Sequence, residues 1–206
     1  IGECIAKRLA EDGYNIFINY YPSDSDREKA EGVAAACREK GVEAEIFAAD
    51  VSSYEQCETM VKAVKDRFGS IDALVNNAGI TKDTLLSLMS EEQYDSVIAV
   101  NQKSVFNMMK PVVKLMIKQK HGAIVNMASV AGLYGNPGQF NYSASKAAII
   151  AMTKTAAKEV GARNIRGTGW TSWDIAVFTT FLACFTRLAA KSSSAAKLFN
   201  AVHKAQ

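Results

Sequence analysis

The chain has 206 residues, 49% of them hydrophobic and 22% charged, which suits one domain with a sizeable core and excludes a charge-rich disordered chain. Its 24 lysines and arginines against 21 acids leave a formal charge of +3, too mild to point to a nucleic-acid-binding surface, although a local basic patch for an acidic partner stays open. Four scattered cysteines (Cys4, Cys37, Cys57, Cys184) have no C-x-x-C spacing, so neither zinc nor a disulfide framework is indicated and they read as free thiols of a reducing compartment.

The first residue is Ile1 rather than methionine, and the chain is expected to be a fragment whose start, with any targeting peptide, is missing. Ile5, Leu9 and Ala10 follow a helical period that stops at Gly13. Residues 14–20 (YNIFINY) read as a buried strand, 24–40 as a helix ended by Gly41, and 44–48 as the next strand. Ser52 with Glu55 spells a capping box for a helix over 53–68, with Asp50-Val51 just before it. A further apolar strand over 71–75 runs into Asn76-Asn77-Ala78-Gly79, where small residues let a backbone approach a ligand; a generic asparagine–glycine turn is the alternative.

Ser90 and Gln93 cap a helix to about Val100, and helical character resumes through Phe106, Met109, Val113 and Met116. Asn101 lies between the two segments, where a kink is one reading, and the methionines read as core rather than as ligands. His121, without a partner at ligand spacing, reads as a turn residue.

An apolar run (Ile124, Val125, Met127) then ends at Ser129. A loop carrying Gly132, Gly135, Pro137 and Gly138 follows, and an alanine-rich helical pattern opens near Tyr142 and continues to Val160. Tyr142 and Lys146 stand four residues apart and share a helix face, with Ser129 placed where a strand tip can bring its hydroxyl beside them. A lysine ammonium favours the phenolate of a neighbouring tyrosine, so the trio suits proton transfer to or from an alcohol or carbonyl oxygen, with Ser129 bonding that oxygen. Strand–helix alternation predicts an α/β fold: a Rossmann-like, doubly wound parallel sheet in three αβα layers, with its ligand at the carboxyl ends of the strands.

Ser129, Tyr142 and Lys146, with NNAG at 76–79 and Asn101 in VIAVNQKSVF, resemble the short-chain dehydrogenase/reductase family. Within it, GNPGQFNYSASKAA and NNAGITKDTLLSLM look most like 3-oxoacyl-[acyl-carrier-protein] reductases. The resemblance covers residues 1–166 and implies a catalytic set of Ser129, Tyr142, Lys146 and Asn101, the last holding a proton-relay water at a helix break. It implies a cofactor site made of Ile1 and Gly2 at the end of a glycine-rich turn, Asp50 and Val51 at the adenine, Asn77, Ala78 and Gly79, and Tyr142 with Lys146 at the ribose. Asn19-Tyr20-Tyr21 stands where an NAD-specific fold ends its second strand in a carboxylate, so Asn19 and Tyr21 point to NADP(H).

The implied reaction is NADPH-dependent reduction of a 3-oxoacyl thioester in fatty acid biosynthesis, with Lys120 and Arg163 meeting an acidic acyl carrier protein. The implied assembly is a homotetramer built on the helices 101–120 and 142–160, located in the cytoplasm or in the stroma or matrix of an organelle. Two alternatives stay open: a reductase or dehydrogenase for acetoacetyl-CoA or another secondary alcohol, and an inactive truncated paralogue that binds intact subunits. Neither nucleic acid nor membrane is an expected partner.

Beyond residue 166 the text departs from the family, and 167–206 is expected to be a divergent tail from a frameshift, splice variant or misread gene. Its apolar run 175–186 is too short to span a membrane. The sheet is therefore expected to be incomplete at both ends, with the neighbours of a missing central strand left unpaired and the chain inactive as it stands.

Overall fold

The computed structural model describes residues 1–170 and 196–200. Its elements are α1 (Gly2–Glu11), β1 (Asn15–Tyr20), α2 (Asp24–Arg38), β2 (Ala44–Ala48), α3 (Tyr54–Phe68) and β3 (Ala73–Asn76). They continue through α4 (Glu91–Val97), a π-helical turn (Ile98–Lys103), α5 (Ser104–Gln119), β4 (Gly122–Met127), α6 (Ala131–Tyr134), α7 (Phe140–Val160), β5 (Ile165–Trp170) and β6 (Ala196–Asn200). The strands form one parallel sheet in the order β2-β1-β6-β3-β4-β5.

Successive strand residues face opposite sides, and both sides are covered, as a parallel sheet requires. On one side Phe17, Leu74 and Ile124 pack with Met60 and Val64 of α3, Met108 and Val112 of α5, and Ile149 of α7. On the other side Ile16, Ile18, Val75 and Val125 pack with Ile5 and Leu9 of α1 and Ala30 and Ala34 of α2. The three-layer, doubly wound arrangement expected from the alternation is the one observed.

The gap expected in the middle of the sheet is filled. β6, from the divergent tail, lies between β1 and β3 and pairs with both, Leu198 standing level with Phe17 and Leu74, and Asn200 level with Asn19 and Asn76. The expectation of unpaired neighbours is thus corrected: two interior strands leave rows of N–H and C=O groups that need partners, and the backbone of β6 supplies them on both sides. β5 crosses the boundary expected at Arg166 and runs to Trp170. The apolar run 175–186 and Cys184 lie outside the described residues.

One cap also differs. Helix α3 is capped by Ser53, whose Oγ accepts from Gln56 N–H, and not by Ser52. The Asp50 carboxylate takes the Ser52 N–H at 2.9 Å, so the lead-in turn uses Ser52 and moves the helix start one residue on. The capping box of Ser90 and Gln93 at α4 is present with both of its bonds. Among the described residues no helix is long and apolar enough to cross a membrane.

Candidate active site

At the carboxyl end of β4 the chain passes Met127 and turns at Ser129, whose Oγ accepts from Ala131 N–H at 3.2 Å at the start of α6. This turn is pressed onto α7. A Cβ added to Gly132 would lie 2.6 Å from the Lys146 carbonyl carbon and 2.7 Å from Ala147 N, so only glycine lets α6 meet the α7 backbone there. Ser129 is buried by the approach.

Helix α7 begins two residues ahead of Tyr142 and brings the tyrosine and Lys146 together, the ammonium 5.6 Å from the phenol ring centroid. Lys146 is 4% exposed and its Nζ donates to the Met127 carbonyl oxygen at 2.6 Å. Burial in this setting pushes its pKa down to about 8. One lysine therefore touches both the strand end that carries Ser129 and the helix turn that carries Tyr142. The three residues expected to act together lie at one edge of the sheet.

Asn101 sits in the π-helical turn, where the widened backbone makes the break expected between α4 and α5. Its side chain is fully buried. Oδ1 accepts from Ile80 N–H at 2.8 Å, and Nδ2 donates to the Ile80 carbonyl at 3.0 Å and to Ser145 Oγ at 3.2 Å. Ser145 Oγ in turn donates to the Tyr142 carbonyl at 2.7 Å. The carboxamide thus clamps the loop after Gly79 to α7. A Cβ at Gly79 would lie 3.4 Å from Asn101 Oδ1 and 3.7 Å from Lys146 Nζ, which keeps the NNAG turn close to the lysine.

The residues expected at a dinucleotide divide into two groups. Gly2 is buried in the first turn of α1, Ile1 is exposed before it, and Ile1 makes no side-chain capping bond, so this helix end suits an anion. Tyr21 is half exposed beyond β1, Gly79 is partly exposed, and Ala78 is buried against the core. Asn19, by contrast, is fully buried and donates to the carbonyls of Tyr20, Phe47 and Ala49 at 3.2, 3.2 and 3.0 Å, tying β1 to the end of β2. Asp50 is engaged in the α3 lead-in through its carboxylate. Val51 is buried and its carbonyl accepts from Asn107 Nδ2 at 2.9 Å. The free helix end, the small-residue turn and the buried lysine together fit a nicotinamide dinucleotide.

Lys120 lies beside the turn that follows Arg163, since Asn164 Nδ2 donates to the Lys120 carbonyl at 3.2 Å. They precede β4 and β5, at the amino edge of the sheet, opposite Ser129, Tyr142 and Lys146. His121 is there too, its Nδ1 3.0 Å from the Gln119 carbonyl oxygen and its Nε2 2.8 Å from Asp72 Oδ1.

Sequence reasoning passed over the buried polar residues that carry the site. Asn107 bonds the carbonyls of Val51 and Ser52, Asn126 joins Asn76 at 2.7 Å and Thr153 at 2.8 Å, and Asn141 meets the start of α7. The available signal was an asparagine at a position whose period marks it as core, as in VFNMMK and AIVNMA.

The family model described as short chain dehydrogenase matches residues 1–171. The chain is 48% identical over 165 residues to the 3-oxoacyl-[acyl-carrier-protein] reductase FabG of Staphylococcus epidermidis, covering 80% of this chain and 66% of the relative. It is 46% identical over 169 residues to the FabG of Thermotoga maritima, covering 81% and 66%. Among solved structures it resembles an NAD+-bound xylitol dehydrogenase with a TM-score of 0.77 and 39% identity, over 81% of this chain and 63% of that one. The chain spans a little under two thirds of the length of these relatives.

Proposed function

From the premise that the chain belongs to the short-chain dehydrogenase family, we propose that the protein reduces the ketone of a 3-oxoacyl thioester, carried on acyl carrier protein, with NADPH. The observation that carries this reading is the buried Lys146 ammonium, held between the Met127 carbonyl and the Tyr142 ring on the helix that faces Ser129. The likeness to two bacterial 3-oxoacyl-[acyl-carrier-protein] reductases supports the substrate.

In this reading Ser129 donates a hydrogen bond to the ketone oxygen and Tyr142 supplies its proton. Lys146 holds positive charge beside the phenol, and Asn101 fixes the loop after Gly79 against α7. The N-terminus of α1 with Ile1 and Gly2, Tyr21, Asp50, Val51 and the Asn77-Ala78-Gly79 turn would hold the dinucleotide, Asn19 acting from beneath by fixing the end of β1. NADPH, when bound, supplies the hydride. Lys120 and Arg163 form a basic pair for an acidic carrier protein. The working assembly is a homotetramer through α5 and α7, in a reducing compartment such as the cytoplasm or an organelle interior.

A second reading, an NAD-dependent secondary-alcohol dehydrogenase, is favoured by the likeness to the xylitol dehydrogenase. The test is the loss of NADPH absorbance with acetoacetyl thioesters of carrier protein and of coenzyme A, set beside NAD+ reduction with polyols. Turnover with the carrier-protein thioester is expected; turnover with polyols and NAD+ alone would replace the first reading by the second.

A further inference from the structure

Helix α7 starts without a side chain on its cap residue: Gln139 makes no capping bond. The first-turn N–H of Tyr142 is met instead by Asn141 Oδ1 at 2.7 Å. The same carboxamide donates both of its hydrogens outward, to the Lys82 carbonyl at 3.2 Å and to the Gln93 carbonyl at 3.1 Å. Asn141 is fully buried, so all three bonds form out of water, where leaving any partner unmet is costly.

Three segments meet at this one amide. Lys82 belongs to the loop that follows Gly79, and Gln93 is the capping-box residue of α4. Two residues earlier in that loop, Ile80 is gripped by Asn101, which reaches α7 through Ser145. Thr84 N–H donates to the Gly138 carbonyl at 2.8 Å, and Gln139 Nε2 donates to Asp83 Oδ2 at 2.7 Å. The loop 80–84 is thereby fastened along the approach to α7, and Asn141 is the side chain that bonds both this loop and Tyr142 directly.

We infer that Asn141 is a positioning residue: it fixes the first turn of α7, and with it the Tyr142 hydroxyl, against the loop 80–84 and α4. It touches neither substrate nor cofactor. The inference rests on the reading of Tyr142 as proton donor. An error of about 1 Å in the placement of such a group costs on the order of a hundredfold in rate, so the amide acts on the proton-transfer step rather than on binding.

Asn141→Ala and Asn141→Ser, made in the full chain, separate this role from a purely structural one. A serine hydroxyl at 141 can accept the Tyr142 N–H but cannot span to both carbonyls. Both variants are expected to lower kcat about tenfold to a hundredfold, with KM for the thioester and Kd for NADPH changed less than about threefold. The solvent deuterium isotope effect on kcat is expected to rise as proton transfer becomes slower. Full recovery of kcat in Asn141→Ser, or an unchanged kcat and isotope effect in Asn141→Ala, would overturn the inference. If the wild-type chain reduces no ketone, or Tyr142→Phe remains active, the reading of the site fails instead; an active wild type, a dead Tyr142→Phe and a normal Asn141→Ala count against Asn141 alone.

Discussion

Lys146 donates to the carbonyl oxygen of Met127, the last residue of β4, at 2.6 Å. The bond crosses from helix α7 to the strand end that leads to Ser129, so the charge of the site and the hydroxyl of the site share one anchor. It also holds an ammonium where burial disfavours it, with a pKa lowered to about 8.

This lowering has a sign that calorimetry can read. Between pH 8 and the ordinary lysine value the unfolded chain binds a proton that the folded chain does not, so stability rises with pH across that window. Below about pH 8 the buried charge costs on the order of 3 kcal/mol. Lys146→Met removes that cost and leaves the Met127 carbonyl unpaired, which returns about 1 kcal/mol or more. The variant is expected to melt a few degrees higher than wild type at pH 7 and to lose the advantage near pH 10. A lower Tm at pH 7 would contradict the reading. Catalysis moves the other way, with reduction abolished in the variant and declining in wild type above about pH 8.

Tyr142→Phe should remove ketone reduction by at least a hundredfold while NADPH affinity stays within about threefold, because only the hydroxyl is lost. Turnover close to wild type would assign the proton to another group.

Gly132→Ala places a methyl group against the Lys146 and Ala147 backbone, which must move. The expected cost in stability is about 1–3 kcal/mol. The loss in kcat should exceed what the unfolded fraction explains, since the displaced turn carries Ser129. Equal kcat in the folded fraction, measured by active-site titration, would show that α6 and α7 can separate without consequence.

NADPH should be preferred over NADH in kcat/KM, since Asn19-Tyr20-Tyr21 puts no carboxylate at the end of β1. Because Asn19 is turned into the sheet, Tyr21 is the place to reverse the choice. Tyr21→Asp is expected to shift the ratio toward NADH by about tenfold, as a carboxylate there repels the 2′-phosphate. Equal use of both cofactors by wild type would move specificity to other residues.

The strands, the helices and the closeness of Tyr142 to Lys146 were legible because their signals are local. YNIFINY and the 124–127 run are apolar at strand length, and Tyr142 and Lys146 are four apart on one helix. Ser53 replacing Ser52 as a cap was not legible, because an Asp50 side-chain bond decided it. Asn141 looked like an ordinary neighbour of Tyr142; its partners at Lys82 and Gln93 are brought to it only by the tertiary fold. Asn19 shows the same limit in reverse: its place at the end of a strand suggested an outward role, and the backbone of β2 claimed it. The tail misled most, since the pairing of residues 196–200 with β1 and β3 is a long-range contact that no local pattern announces.

That last strand sets a timetable for folding. β1 is made well before its inner-edge partner, which it meets only when residues 196–200 have been made. Until then β2-β1 and β3-β4-β5 are separate pieces, each with an open strand edge of the kind that recruits other chains. Closing the sheet joins β1 to a strand far along the sequence, a contact of high order and correspondingly slow. Nascent chains of this protein should therefore need protection from aggregation until residues 196–200 have emerged, and refolding should show a late phase in which the two parts of the sheet are zipped together by β6.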